Sequence, residues 1–128
     1  MTARIAALVL SVVSFTAPAH ADQTLKYYNN DKYEQVKFKT YEKANLNESC
    51  FKGGKPSCKA WTVFTGKPKA RTKNPTPLAG NPAALYCWDV GAKNRILKAQ
   101  NNDQYDVCVF DDNSMIDSWD LYYKHFPK

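Results

Sequence analysis

The sequence predicts a small α+β fold, stapled by disulfides, in which a C-terminal helix–β-hairpin–helix unit packs against a basic N-terminal part with short strands. Three observations predict it. Asn81 to Tyr123 reads as helix, hairpin, helix. Four cysteines, Cys50, Cys58, Cys87 and Cys108, sit in a chain of 128 residues whose start reads as an export signal. Imperfect alternation across Leu25–Thr40, with Val36 and Phe38 on one side and Gln35, Lys37 and Lys39 on the other, marks a strand in the N-terminal part.

The elements of the C-terminal unit follow from local chemistry. Asn81-Pro82 opens a helix, because Asn caps free backbone donors and Pro suits the first helical position. Ala83 to Val90 makes about two turns, and Gly91 stops them. Leu85, Tyr86, Cys87 and Val90 give that helix an apolar side. Asn94–Ala99 and Gln104–Phe110 read as strands joined by the turn residues Asn101-Asn102-Asp103. On the second strand Cys108 and Phe110 point one way and Tyr105, Val107 and Val109 the other, so each face needs a cover. Asp111-Asp112-Asn113 is a further turn. Ser114 and Asp117 approximate a capping box, and Met115, Trp119, Tyr122 and Phe126, with Ile116 and Tyr123 beside them, follow at helical spacing.

Asn81-Pro82-Ala83, Tyr86-Cys87, Gly91, Tyr105, Cys108, Phe110, Asp112 and Trp119 carry a resemblance. In these residues the last third of the chain resembles the bacterial family known as domain of unknown function 333, whose members often bear the label hemolysin. The resemblance implies a small protein that is secreted or lipid-anchored, and it brings no catalytic residues. It also implies two more cysteines in many members, at positions held here by Ile116 and Phe126. Both are apolar, as expected where core packing has replaced a disulfide.

Met1–Ala21 reads as a signal peptide: Arg4, the apolar run Ile5–Phe15, then Ala19-His20-Ala21 as the cleavage site. The run is shorter than the roughly 20 residues a bilayer-spanning helix needs, so no transmembrane anchor is expected. Asp22 follows where a lipoprotein would carry Cys. The protein is therefore expected in the periplasm or outside the cell. There, four cysteines argue for two disulfides. Of three possible pairings, Cys50–Cys58 and Cys87–Cys108 close local loops and are favoured, at roughly 2.5 to 3.5 kcal/mol each. Zinc is disfavoured, since no C-x-x-C pair is present.

Residues 22–65 form the basic N-terminal part. Tyr41–Glu48 reads as a short helix or a turn. Asn47-Glu48-Ser49 matches a glycosylation sequon, read as coincidence. Cys50–Cys58 encloses a stapled turn. Ser57 is a candidate cap for a helix with Trp61 and Phe64 inward, although a strand fits Trp61–Phe64 equally; either way these residues can cover the hairpin's free face. Residues 66–80 read as a linker, since Pro68, Pro75 and Pro77 exclude regular structure. The helix–hairpin–helix unit then takes 81–126.

Charge is uneven. Asp22–Pro77 carries 12 Lys and Arg against 5 Asp and Glu; Leu78–Lys128 carries 5 against 7. Catalytic groups are few. His125 follows the signal as the sole imidazole and reads as a solvated terminal residue, and Glu34, Glu42 and Glu48 are scattered. No enzyme activity, cofactor or metal is expected; Asp111-Asp112 and Asp117 lack the spacing of a calcium loop and read as turn and cap residues. The expected role is non-catalytic binding or structure in the cell envelope. Lys67, Lys69, Arg71 and Lys73 are the candidate contacts for an anionic envelope component or a protein. Nucleic acid is not expected. The alternatives are a membrane-active toxin or an inhibitor of a secreted enzyme.

Overall fold

The computed structural model describes residues 22–72 and 81–128. The signal-peptide reading of Met1–Ala21, and residues 73–80 of the expected linker with Lys73 among them, lie outside the described residues. Six strands close into an antiparallel barrel. They are β1 (Gln23–Asn29), β2 (Lys32–Tyr41), β3 (Ala44–Asn47), β6 (Lys93–Lys98), β7 (Gln104–Val109) and β8 (Met115–Asp117). Around the barrel they run β1-β2-β3-β8-β7-β6, and β6 returns to β1. Two-residue strands β4 (Phe51–Lys52) and β5 (Lys55–Pro56) form a separate ribbon. Three short helices complete the chain: α1 (Lys59–Thr65), α2 (Pro82–Asp89) and α3 (Ser118–His125).

This overturns the helix–hairpin–helix α+β arrangement. The expected hairpin exists, as β6 and β7, but it is not a unit that packs against an N-terminal part. It supplies two staves of one barrel, and β1–β3 supply three more. The sixth is Met115–Asp117, where the last helix was expected to begin. Cys108 pairs with Ile116 and Val109 with Met115 on one side, and Leu46 pairs with Ile116 on the other. A run of three residues carries too little periodicity to separate strand from helix, so its neighbours decide. The helix starts at Ser118, and its cap is Asp117, which accepts from Trp119 N at 2.9 Å and Asp120 N at 3.1 Å.

Two cores form on the two sides of the sheet. Leu25, Phe38, Leu97, Val107 and Met115 come from five different strands and pack together, so they fill the barrel. Leu46, Cys108 and Ile116 point outward and meet Ala60, Phe64, Ala83, Tyr86, Cys87, Leu121 and Tyr122 of the helices. The two apolar faces of β7 are thereby each covered, one by the barrel interior and the other by helices. Trp61 and Phe64 lie on a helix and join that second core, as does Phe126 beside Ile116.

Turn chemistry closes the strands. Asn30 and Asp31, at φ 50° and 63°, make the tight β1–β2 turn; Glu42 and Lys43, at φ 45° and 69°, make the β2–β3 turn. Asn102 and Asn113 take positive φ in the two expected C-terminal turns. In α2 the Asn81 side chain accepts from Ala84 N at 2.6 Å. Gly91, at φ 83°, ends that helix, with Gly91 N donating to Trp88 O and Ala92 N to Cys87 O, the double bond of a Schellman ending. Ser57 caps nothing. The N-cap of α1 is Cys58, and the helix's free donors are met from across the chain: Lys59 N by Asp112 Oδ2 at 2.9 Å and Ala60 N by Ser114 Oγ at 3.0 Å. Disulfides join Cys50 to Cys58 and Cys87 to Cys108.

β3 and β8 share one register pair, and a side chain completes the closure. Asn47, 4 % exposed, lies on the inner face opposite Phe38. Its Oδ1 accepts from Met115 N at 2.9 Å, and its Nδ2 donates to Asn113 O at 3.1 Å and Ser49 Oγ at 2.9 Å. A buried amide with all these bonds is a structural residue.

Candidate functional site

One end of the barrel is open. Three turns gather there: Asn30-Asp31, the Gly91 ending of α2, and Asp111–Asn113. Between them lies a cleft of about 770 Å³ lined by Tyr27, Asn29, Lys93, Arg95, Val109 and Met115, among others. Its position follows from strand pairing. β1 and β6 are registered only at Lys26 and Lys98, so the two strands part toward this end. Val109 and Met115 line the cleft from the inner face of the sheet. Arg95 pairs with Val107 and Lys93 with Val109, which turns both cations to that same inner face.

The lining carries two cations, Lys93 and Arg95, and two acids, Glu34 and Asp111. Among the described residues the ion pair present is Lys59–Asp111, at 2.7 Å, so neither Lys93 nor Arg95 is neutralised by a carboxylate. Arg95 donates to its neighbour Asn94 O at 2.9 Å. Asp111 also borders the cleft, but its charge is engaged by Lys59, whose own pKa is raised by that contact. Glu34 is the remaining acid of the lining. Sequence reasoning missed this pair. The available signal was alternation: Lys93, Arg95 and Leu97 share one side of a strand, and cations at its end must face the mouth.

The expected contact residues fall elsewhere. Lys67 and Lys69 are exposed on the coil after α1. That coil lies along α2 and α3: Lys69 N donates to Tyr86 Oη at 2.9 Å, and Thr72 N to Asp89 Oδ2 at 2.9 Å. The Arg71 guanidinium donates to Tyr122 Oη at 2.7 Å and sits 4.5 Å from the Phe126 ring centroid, so its charge is held by the protein itself.

His125 is not the solvated terminal residue expected. It is 8 % exposed. Phe64 O, 3.2 Å from Nε2, can only accept, so Nε2 donates to it, and Nδ1 lies 2.5 Å from Tyr86 Oη, within hydrogen-bond distance. Both ring nitrogens are thus occupied by protein groups, and the imidazole braces α3 against α1 and α2. Burial pushes the Tyr86 hydroxyl above its ordinary range. The signal was present: Leu121, Tyr122 and His125 share one helical face.

At the first turn of α3 stand Asp117 and Asp120. Burial pushes Asp117 up to about 6, and the Asp120 charge adds to this, against the backbone donors it caps. Burial also raises Asp120, opposed by bonds from Asn45 N and Nδ2, both at 3.0 Å. Because Asp117 binds its proton more tightly when folded, it favours the fold most below the unfolded value of 3.8, and that advantage is lost as pH rises to about 6. Asp117→Asn keeps a capping oxygen and removes the titration. Urea unfolding at successive pH values is expected to lose a slope worth up to about 3 kcal/mol between pH 4 and 6 in this variant. An unchanged slope would place the titration elsewhere. Among the described residues no cluster of His, Cys, Asp and Glu has the geometry to hold a metal ion.

Fold and site together define a small, disulfide-tied β-barrel whose open end presents Lys93 and Arg95. Residues 79–125 match the family model described as Domain of unknown function (DUF333), the family that the C-terminal residues resemble. The match runs from just before α2 through α3 and so contains three of the six staves. Comparison with curated proteins and with solved structures gave no significant match. No helix among the described residues is long and apolar enough to cross a membrane.

Proposed function

We propose that this is a small exported protein whose barrel mouth binds an anionic partner without catalysis, in the cell envelope or the extracellular space. One observation carries the reading: Lys93 and Arg95 face a cleft of about 770 Å³ with no carboxylate paired to either. Two disulfides in so short a chain fit an oxidising compartment, which supports export. The exposed Lys67 and Lys69 belong to the same proposal as a secondary contact, whereas Arg71 is already engaged by Tyr122 and Phe126.

The test removes equal charge at two places. The double variants Lys93→Gln/Arg95→Gln and Lys67→Gln/Lys69→Gln are compared for binding to a glutamate-rich peptide and an anionic oligosaccharide over a salt series. Loss at the mouth is expected to weaken binding to at least one probe roughly three- to tenfold at low salt, with the gap closing as salt rises. Equal losses in the two variants would show that net charge, and not the mouth, attracts the anion.

A further inference from the structure

We propose that the open seam between β1 and β6 accepts an extended segment of a protein partner as an added strand, and that this segment alternates acidic and apolar residues. The inference rests on the anion-binding reading of the mouth and names its partner.

The first support is the backbone. β1 is paired with β2 along its whole length, from Gln23↔Phe38 to Asn29↔Lys32, and β6 with β7 from Lys93↔Val109 to Lys98↔Gln104. Across the seam the two strands meet only at Lys26↔Lys98. From there toward the mouth, Tyr27–Asn29 and Lys93–Ile96 have no ladder partner on their second side among the described residues. Such edges are templates for another strand. The cleft occupies the space between them, with Tyr27 and Asn29 on one bank and Lys93 and Arg95 on the other.

The second support is the side chains of the two banks. On the inner face stand Lys93 and Arg95. On the outer face stand Tyr28 and Ile96, each 54 % exposed, one on either bank, and Tyr33 packs on Tyr28 with ring centroids 5.0 Å apart. Large apolar side chains on both lips of a parted seam are costly unless something lies between them. A strand laid in the seam sends alternate side chains to opposite faces. One set meets the cations and should be acidic; the other lies between Tyr28 and Ile96 and should be apolar. A lipid headgroup or a polysaccharide supplies charge but no row of backbone amides.

The test uses the full oxidised chain and a labelled peptide of about eight residues, a length typical of strands, alternating Glu and Val. The same peptide N-methylated at alternate backbone nitrogens loses donors but no charge. Anionic phosphatidylglycerol vesicles form the third arm. Binding of the first peptide, with amide shifts at Tyr27–Asn29 and Lys93–Ile96 and a loss of about tenfold on N-methylation, is the expected result. Ile96→Asp should weaken it by a similar factor. Equal affinity for the N-methylated peptide overturns strand addition while leaving anion binding at the mouth intact. Vesicle binding without peptide binding does the same. Binding of none of the three overturns strand addition, and failure of the anionic oligosaccharide as well overturns both readings.

Discussion

Replacing Cys87 and Cys108 together by alanine is expected to lower stability by about 3 kcal/mol and the midpoint of thermal unfolding by on the order of 15 °C. Both sulfurs are fully buried and join α2 to the outer face of β7 across a sequence separation of 21. The Cys50–Cys58 pair closes a shorter loop, with a separation of 8, around the exposed Gly53-Gly54 turn. Its removal should cost less, roughly 2.5 kcal/mol by the same chain-entropy argument. Differential scanning calorimetry of the two double variants gives the ranking directly. The reverse order would mean that the α2–β7 contact is held by packing, and that the sulfur bond adds little to it.

Asn47→Ala is expected to be the most damaging single substitution of a polar residue, at roughly 2 to 4 kcal/mol. Truncation leaves Met115 N and Asn113 O without their partners where the ladder between β3 and β8 has a single registered pair. Asn47→Asp separates the two contributions. It keeps an acceptor for Met115 N, loses the donor to Asn113 O, and places a carboxylate at a site 4 % exposed. Its stability should therefore fall more steeply with rising pH than that of the alanine variant. Denaturant titration at pH 5 and pH 7 checks this. A cost for Asn47→Ala under 1 kcal/mol would show that closure does not depend on the side-chain bridge.

Local structure was legible wherever one residue type has one strong conformational preference. Asn81-Pro82, Gly91, Asn101–Asp103 and Asp111–Asn113 all do what their chemistry suggests, and the two strands between them follow. The β1–β2 turn was equally readable at Asn29-Asn30-Asp31, but one long alternation concealed it. At the β2–β3 turn the sequence left Tyr41–Glu48 open between a short helix and a turn, because Glu42 and Lys43 have no preference for the positive φ they adopt. With the first turn missed and the second undecided, β3 stayed hidden, and without β3 nothing in Met115–Asp117 distinguishes a strand from the start of a helix. The mouth was invisible for the same reason. Lys93 and Arg95 look like ordinary strand residues until the barrel closes and leaves them at its unzipped end. The reading of Lys67, Lys69, Arg71 and Lys73 as free cations treated the segment as detached, whereas the aromatic side chains of α2 and α3 hold part of it.

The donors at the start of α1 are met by Asp112 and Ser114, more than fifty residues further along the polypeptide. During synthesis the chain appears from its N-terminus, so this helix is made long before the groups that complete it. Barrel closure waits as well, because the stave between β3 and β7 is the last of the six to be made. Contacts so distant in sequence slow folding. Until Met115–Asp117 emerges, the early hairpins have open edges exposed to neighbouring chains, which is the interval in which a folding helper would matter most.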